Sequence, residues 1–329
     1  MNRTGLNRVW VVLLAAALQF SALGGKTHAD TYPSRPVRVV IPYAPGGGTD
    51  NLVRVLAPTV SASLGQQLII ENRPGGGSII GMEVVVNSEP NGYTLLATDS
   101  AILINPGLFK AKMPFDTVKR LTGVTMMAHA PVPLIAHPSL PAKTFPELVA
   151  LAKAKPGSLN YASGGLGSAT HLAGELIKQA ANIDIVHIPY KGTGAAVADV
   201  LSGKVQLWFA GVSTSVQYVK SGRLRALAIT GKQRHPAMPD VPTFQENGLP
   251  DIDADVYWGL YAPVGVPAEI LNTIHQHFAR ALHSAALAER LESLGFMPIA
   301  NTPQQHTQQM RSLIARWTEV IDKAKITLE

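Results

Sequence analysis

Short apolar runs recur along most of the chain, each ending in a turn rich in glycine or hydroxyl residues and each followed by a helical period. Val37–Ile41 leads into Pro45-Gly46-Gly47-Gly48-Thr49-Asp50, with Thr49-Asp50 at a helix start. Leu68–Glu71 leads into Arg73-Pro74-Gly75-Gly76-Gly77-Ser78 and a helix from about Ile80. Tyr93–Ala97 leads into Thr98-Asp99-Ser100. Leu159–Ala162, Ile185–Ile188 and Val205–Phe209 lead into Ser163-Gly164-Gly165-Leu166-Gly167-Ser168, Pro189-Tyr190-Lys191-Gly192-Thr193-Gly194 and Ala210-Gly211-Val212-Ser213. Strands alternating with helices predict an α/β fold with parallel sheets, in which ligands sit beyond the C-terminal strand ends.

Element ends are well marked in the second half. Thr144 and Glu147 have capping-box spacing, and Pro156-Gly157 ends that helix. Pro267 opens a helix with Ile270, Leu271, Ile274, Phe278 and Leu282 on one face. Thr302-Pro303 opens the last one, carrying Met310, Leu313, Trp317 and Ile321. Pro58 falls inside the helix predicted by Val53, Leu56, Val60 and Leu64, where it should kink it or delay its regular part. The extended stretches Val124 to His137 and Val256 to Pro263 read as two crossings between lobes. The division that follows is a leader over 1–29, a discontinuous lobe over 30–130 and 255–329, a second lobe over 131–254, and a ligand cleft between them.

The leader reading rests on Arg3 and Arg8, the apolar run Val9 to Gly25 and the small-x-small Thr27-His28-Ala29. This succession predicts a signal peptide removed after Ala29 and an exported chain; a membrane anchor is the alternative. About 300 residues then remain, more than one hydrophobic core usually serves, so two lobes are expected. Cysteine is absent, which excludes thiol nucleophiles, zinc–cysteine sites and iron–sulfur clusters. The formal charge of +6 falls to +3 without Arg3, Arg8 and Lys26, leaving 25 basic against 22 acidic residues. No basic cluster is interleaved with aromatics, so nucleic acid is not an expected partner.

The chemistry therefore rests on the glycine loops. A strand, a glycine turn and a helix start form an anion site, because the first backbone N–H groups of a helix lack internal partners. The PGGGTD loop fits neither nucleotide template: no Lys follows the glycines, and the sixth position from Gly46 is Asn51. A plain tight turn is the alternative. In the second loop, Ser168 is a good N-cap before Ala169, Thr170 and His171. A Ser168–His171 hydrolase pair fails the Gly-x-Ser-x-Gly elbow, because Leu166 and Thr170 hold both glycine positions; a structural cap and a ligand loop stay open. The histidines lack metal-ligand spacing. Asp251, Asp253 and Asp255 alternate like a calcium loop without its Gly and distal Glu, and read better as an exposed acidic loop. No catalytic group, cofactor or metal site is expected.

The motifs PYAPGGGTD, ENRPGGGSIIG, PNGYTLL, LNYASGGLGSATHLAGE, HIPYKGTGAAVADVLSGKVQ, GRLRALAITG with PDVPTFQENGLP, and YWGLYAPVGVP resemble, in this order, the Bug family of periplasmic solute receptors, also called tripartite tricarboxylate transporter receptors. The resemblance implies a two-lobed Venus-flytrap of the type II periplasmic binding protein kind. It implies a small carboxylate ligand (a dicarboxylate, tricarboxylate, acidic amino acid or aromatic acid) and integral membrane permease subunits as partners. A sensor kinase of a two-component system is the alternative partner, and an exported hydrolase the rival class. By the same resemblance Gly47, Gly48, Thr49 and Asp50, after Tyr43, line one jaw, and Gly167, Ser168, Ala169, Thr170 and His171 the other. Ser78, Ser100, Tyr190 and Ser213 are candidates for reading the distal part of the ligand. Gly164, Asn91 and Pro58 depart from the family pattern without removing a jaw.

Overall fold

The computed structural model describes residues 32–249, 252 and 254–327. The expected signal peptide lies outside them, as do Asp251 and Asp253.

Eleven strands among the described residues form two sheets. β1 (Val37–Ile41), β2 (Leu68–Asn72), β3 (Thr94–Thr98), β4 (Leu121–Ala130), β10 (Val256–Pro263) and β11 (Met297–Pro298) make the first, in the order β11-β4-β10-β3-β1-β2. β5 (Pro133–Ala136), β6 (Asn160–Ser163), β7 (Val186–Pro189), β8 (Leu207–Phe209) and β9 (Arg225–Ile229) make the second, in the order β7-β6-β8-β5-β9. Each sheet is the centre of one lobe.

Strand–turn–helix units account for the parallel pairs: β1 pairs with β2 and β3, and β6 with β7 and β8. The sheets are nonetheless mixed, which corrects the expectation of parallel sheets. β10 runs antiparallel to β3 and β4, and β5 antiparallel to β8 and β9. The reason lies in the two stretches read as crossings. Each is a core strand: β4 and β10 pair over nearly their whole length, and only Pro131-Val132 separates β4 from β5 in the other sheet. Their apolar runs are continuous because both faces are covered, with Met126, Met127, Ala128, Leu260 and Ala262 wholly buried.

Helices cover the sheets with the faces their spacing predicts. Ala268–Leu282 buries Ile274, Phe278 and Leu282; Pro303–Ala324 buries Met310, Leu313, Trp317 and Ile321 behind a full Thr302–Gln305 capping box. At Phe145–Ala154 the Thr144 side chain caps the Glu147 N–H, and the Glu147 carboxylate accepts from Lys143 N–H at 2.7 Å. Gly48–Leu64 runs as one helix from its first predicted turn, with Pro58 inside it. Asp255, expected in an exposed loop, is largely buried: it meets His129 Nδ1 at 3.1 Å and accepts from the Thr230 hydroxyl.

Candidate functional site

The turns at the C-terminal strand ends of the two sheets face each other and touch. Ala44 N–H donates to Lys191 O at 2.9 Å, and Asn51 Nδ2 to Ser213 O at 3.4 Å. Between them lies a chamber of about 20 Å³ lined by residues of both lobes, room for about one water molecule.

Three helix N-termini open onto this chamber. Gly47, Gly48 and Thr49 come from the start of Gly48–Leu64, whose cap residue Gly47 supplies no side-chain acceptor. Thr170 comes from the first turn of Ala169–Ala181. Gly211 and Thr214 come from the start of Val212–Lys220, again uncapped by a side chain. The 3₁₀ turn Thr193–Ala196 adds Thr193 with Gly192. The initial N–H groups of each helix have no carbonyl four residues back, so partial positive charge accumulates around one small volume. Trp258 and Val256 of β10 close the floor.

Asp50 lies behind the first loop rather than in the chamber. Its carboxylate accepts from Gly46 N–H at 2.9 Å, Arg54 Nε at 2.8 Å and Asn72 Nδ2 at 3.1 Å. Burial works to raise its pKa, but these donors outweigh it and hold the carboxyl below its ordinary value. The glycine loop is thus tied down from its back, through Gly46 N–H and the neighbouring Asn72 and Arg54.

The second loop is built differently. Ser168 caps the helix by accepting from His171 N–H and donates to Gly165 O at 2.7 Å. Gly164 N–H donates to Thr170 Oγ1 at 2.9 Å, fixing that hydroxyl beside the chamber. Ala169 is wholly buried. The His171 ring packs away from the chamber, stacked on His187 with centroids 4.3 Å apart. Burial pushes His171 down to about 4 and His187 to about 3, so both are neutral near pH 7 and offer no cation to an anion. Gly167 faces the 101–109 helix of the other lobe, where an added Cβ would lie 2.1 Å from Asn105 Oδ1.

A larger groove of about 690 Å³ adjoins the chamber, sharing Tyr43 and Gly164 with it. Ser78 and Tyr190 line this groove; the Tyr190 hydroxyl donates to Asp199 at 2.7 Å. Ser100 lines neither space. Its hydroxyl accepts from Tyr257 N–H at 2.9 Å and donates to Asp255 O, stapling β3 to β10. Ser213 Oγ is buried without a partner just behind Gly48.

Of the residues singled out from sequence, Tyr43, Gly47, Gly48, Thr49 and Thr170 meet in the chamber, and Ser78 and Tyr190 in the adjoining groove. The residues not singled out are Asp99, Gly164, Gly192, Thr193, Gly211, Thr214, Val256 and Trp258. Most lie in turns that the strand–glycine pattern had already marked as strand ends. Trp258 had no such signal, being embedded in an apolar strand.

The match to known proteins follows this geometry. Residues 52–326 match the model of the tripartite tricarboxylate transporter family receptor. The chain belongs to this receptor family. It is 36% identical to protein BugT of Bordetella pertussis over 322 residues, 98% of each chain. The structure of the periplasmic binding protein BugD superposes with a TM-score of 0.87 at 29% identity, covering 91% of this chain and all of that one. A Rhodopseudomonas palustris protein solved with adipate superposes with a TM-score of 0.86 at 31% identity, over 90% of this chain and 99% of its own. The receptor therefore has the two-lobed fold of periplasmic binding proteins, in a family of non-catalytic solute-binding receptors.

Proposed function

We propose that this receptor captures a small organic carboxylate at the chamber between its two lobes, which part to admit it, and delivers it to the membrane subunits of a tripartite tricarboxylate-type transporter. One observation carries the reading: three helix N-termini from two lobes converge on a chamber that no Lys, Arg or His lines. Such a site holds an anion through backbone N–H groups and dipoles. Each terminus contributes about 0.3–1 kcal/mol, up to ~2 when partly buried, and each hydrogen bond to a charged group about 1.5–3 kcal/mol. Together these reach the roughly 8 kcal/mol that micromolar affinity requires. The adipate carried by one relative fits the same chemistry.

In this reading residues up to 130 and from 255 form one lobe and 131–254 the other, and β4, β5 and β10 carry the hinge. Gly47, Gly48, Thr49 and Thr170 hold the carboxylate directly or through water. Asp50, Ser168 and His171 shape the loops. Ser78 and Tyr190 face the rest of the ligand. Removal of residues 1–29 on export places the protein in the periplasm.

A thermal-shift screen of the mature protein against mono-, di- and tricarboxylates tests the proposal. At least one acid should raise the melting temperature saturably and be recovered unchanged. No stabilisation by any carboxylate, or conversion of one, would overturn it.

A further inference from the structure

The chamber holds one group that an anion site does not need. Asp99, at the turn after β3, lines the same space as the helix N-termini. Its Oδ1 accepts from the Tyr43 hydroxyl and from Ala101 N–H, the latter at 2.9 Å. Both donors are neutral. Among the described residues nothing else that acts on this carboxyl is a cation, and the chamber lining contains none. Tyr43, the only side chain bonded to it among the described residues, is itself 7% exposed and sits beside Thr98 and Ser78, which are neutral as well.

A carboxylate drawn to the helix N-termini would thus enter beside a second, uncompensated carboxyl. Burial already pushes the Asp99 carboxyl up, against the pull of the Tyr43 hydroxyl and the Ala101 and Asp99 N–H groups, and the same negative charge helps push the Tyr43 phenol up. Like charges in one desolvated space are unfavourable, whereas an opposite charge within a few ångströms relieves both the burial of Asp99 and the repulsion. A hydroxyl on the ligand would supply a hydrogen bond without that charge. A protonated amine supplies both.

We propose that Asp99 reads a protonated amine, so that the receptor selects an amino carboxylate over the acid of equal size that lacks nitrogen. The proposal rests on the carboxylate reading above and adds the second pole of the ligand. The amino acid's carboxylate meets the helix N-termini and its ammonium meets Asp99. Its side chain leaves past Tyr43 and Gly164 into the larger groove.

Calorimetry on the mature protein with matched probes tests this: aspartate against succinate, glutamate against glutarate and alanine against propionate, with malate as the hydroxyl counterpart of aspartate. The amine should bind at least tenfold tighter in the pair that binds best, and Asp99→Asn should reduce that preference at least tenfold. A nitrogen-free acid as the tightest binder, malate included, would overturn the inference and leave the carboxylate receptor standing. A preference that survives Asp99→Asn in a folded variant would overturn it too. Should that variant fail to fold, the native pairs decide alone. Failure of every carboxylate to bind would overturn both readings.

Discussion

Substituting Gly194 by Ala should block the meeting of the lobes while leaving each lobe intact. Gly194 lies in the 193–196 turn of the second lobe with no need of a left-handed backbone angle. A Cβ there would stand 2.7 Å from the Gly46 carbonyl carbon, 2.8 Å from Gly47 N and 2.9 Å from Gly46 O. All three atoms are backbone of the opposite lobe, so no side chain can rotate away. Ordinary carbon contacts need about 3.5–4.0 Å, so the loops must part by about 1 Å. The Ala44–Lys191 hydrogen bond at 2.9 Å would then be stretched past the range of such bonds. Overpacking of this kind costs about 1–3 kcal/mol. A ligand that holds both lobes binds through the closed form and loses that amount. Its dissociation constant should rise about five- to 140-fold at ~1.4 kcal/mol per decade. The melting temperature of the free protein should change little, because the clash is between lobes and alanine favours a helical turn. Calorimetry with the best carboxylate from the screen, run beside thermal unfolding, measures both quantities. Native affinity in Gly194→Ala would refute the argument that the loops must meet to hold the ligand.

Other consequences follow from the supports of the site and from its buried imidazoles. Asp50→Ala removes the acceptor shared by Gly46, Arg54 and Asn72; thermal unfolding should show a loss of about 1–3 kcal/mol, together with weaker carboxylate binding. An unchanged melting temperature would mean that the loop holds its shape without Asp50. Burial lowers His306 and His187 to about 3 and His171 to about 4, whereas the unfolded chain titrates near 6.5. Below about pH 6.5 the unfolded state therefore binds protons that the folded state refuses, and stability should fall as pH drops from about 6.5 to 4. Denaturant unfolding of His306→Gln should show that acid slope reduced by up to ~1.4 kcal/mol per pH unit; an unaltered slope would contradict this assignment. Protein recovered from the periplasm should begin at or near Asp30 by mass spectrometry, and an intact Met1 would contradict the export reading.

The parts of the fold that sequence reveals are those governed by local chemistry. β1, the Gly46–Gly48 turn and the 48–64 helix are visible because an apolar run, three glycines and a helical period each report a backbone requirement. The 303–324 helix is visible through Thr302, Pro303 and its apolar stripe. β4, β5 and β10 were legible as extended, but not as antiparallel members of two different sheets. Pairing such as Leu260 with Thr125 links residues over a hundred positions apart and leaves no local mark. The site shows the same division. Gly47, Gly48, Thr49 and Thr170 announce themselves through glycine and capping patterns. Thr193, Thr214 and Asp99 are ordinary turn residues until the fold brings five strand ends to one chamber. Asp50 and His171 belong to the right loops by sequence; only the packing shows that one braces its loop from behind and that the other turns its ring toward His187.

The central claim is that helix N-termini from both lobes hold one carboxylate. A crystal structure with the tightest-binding carboxylate from the screen tests it most directly. The account predicts carboxylate oxygens about 2.7–3.2 Å from backbone N–H groups at Gly48 or Thr49 and at Thr170 or Val212, directly or through one water. A ligand carboxylate lying outside the chamber, or held by one lobe alone, would contradict it.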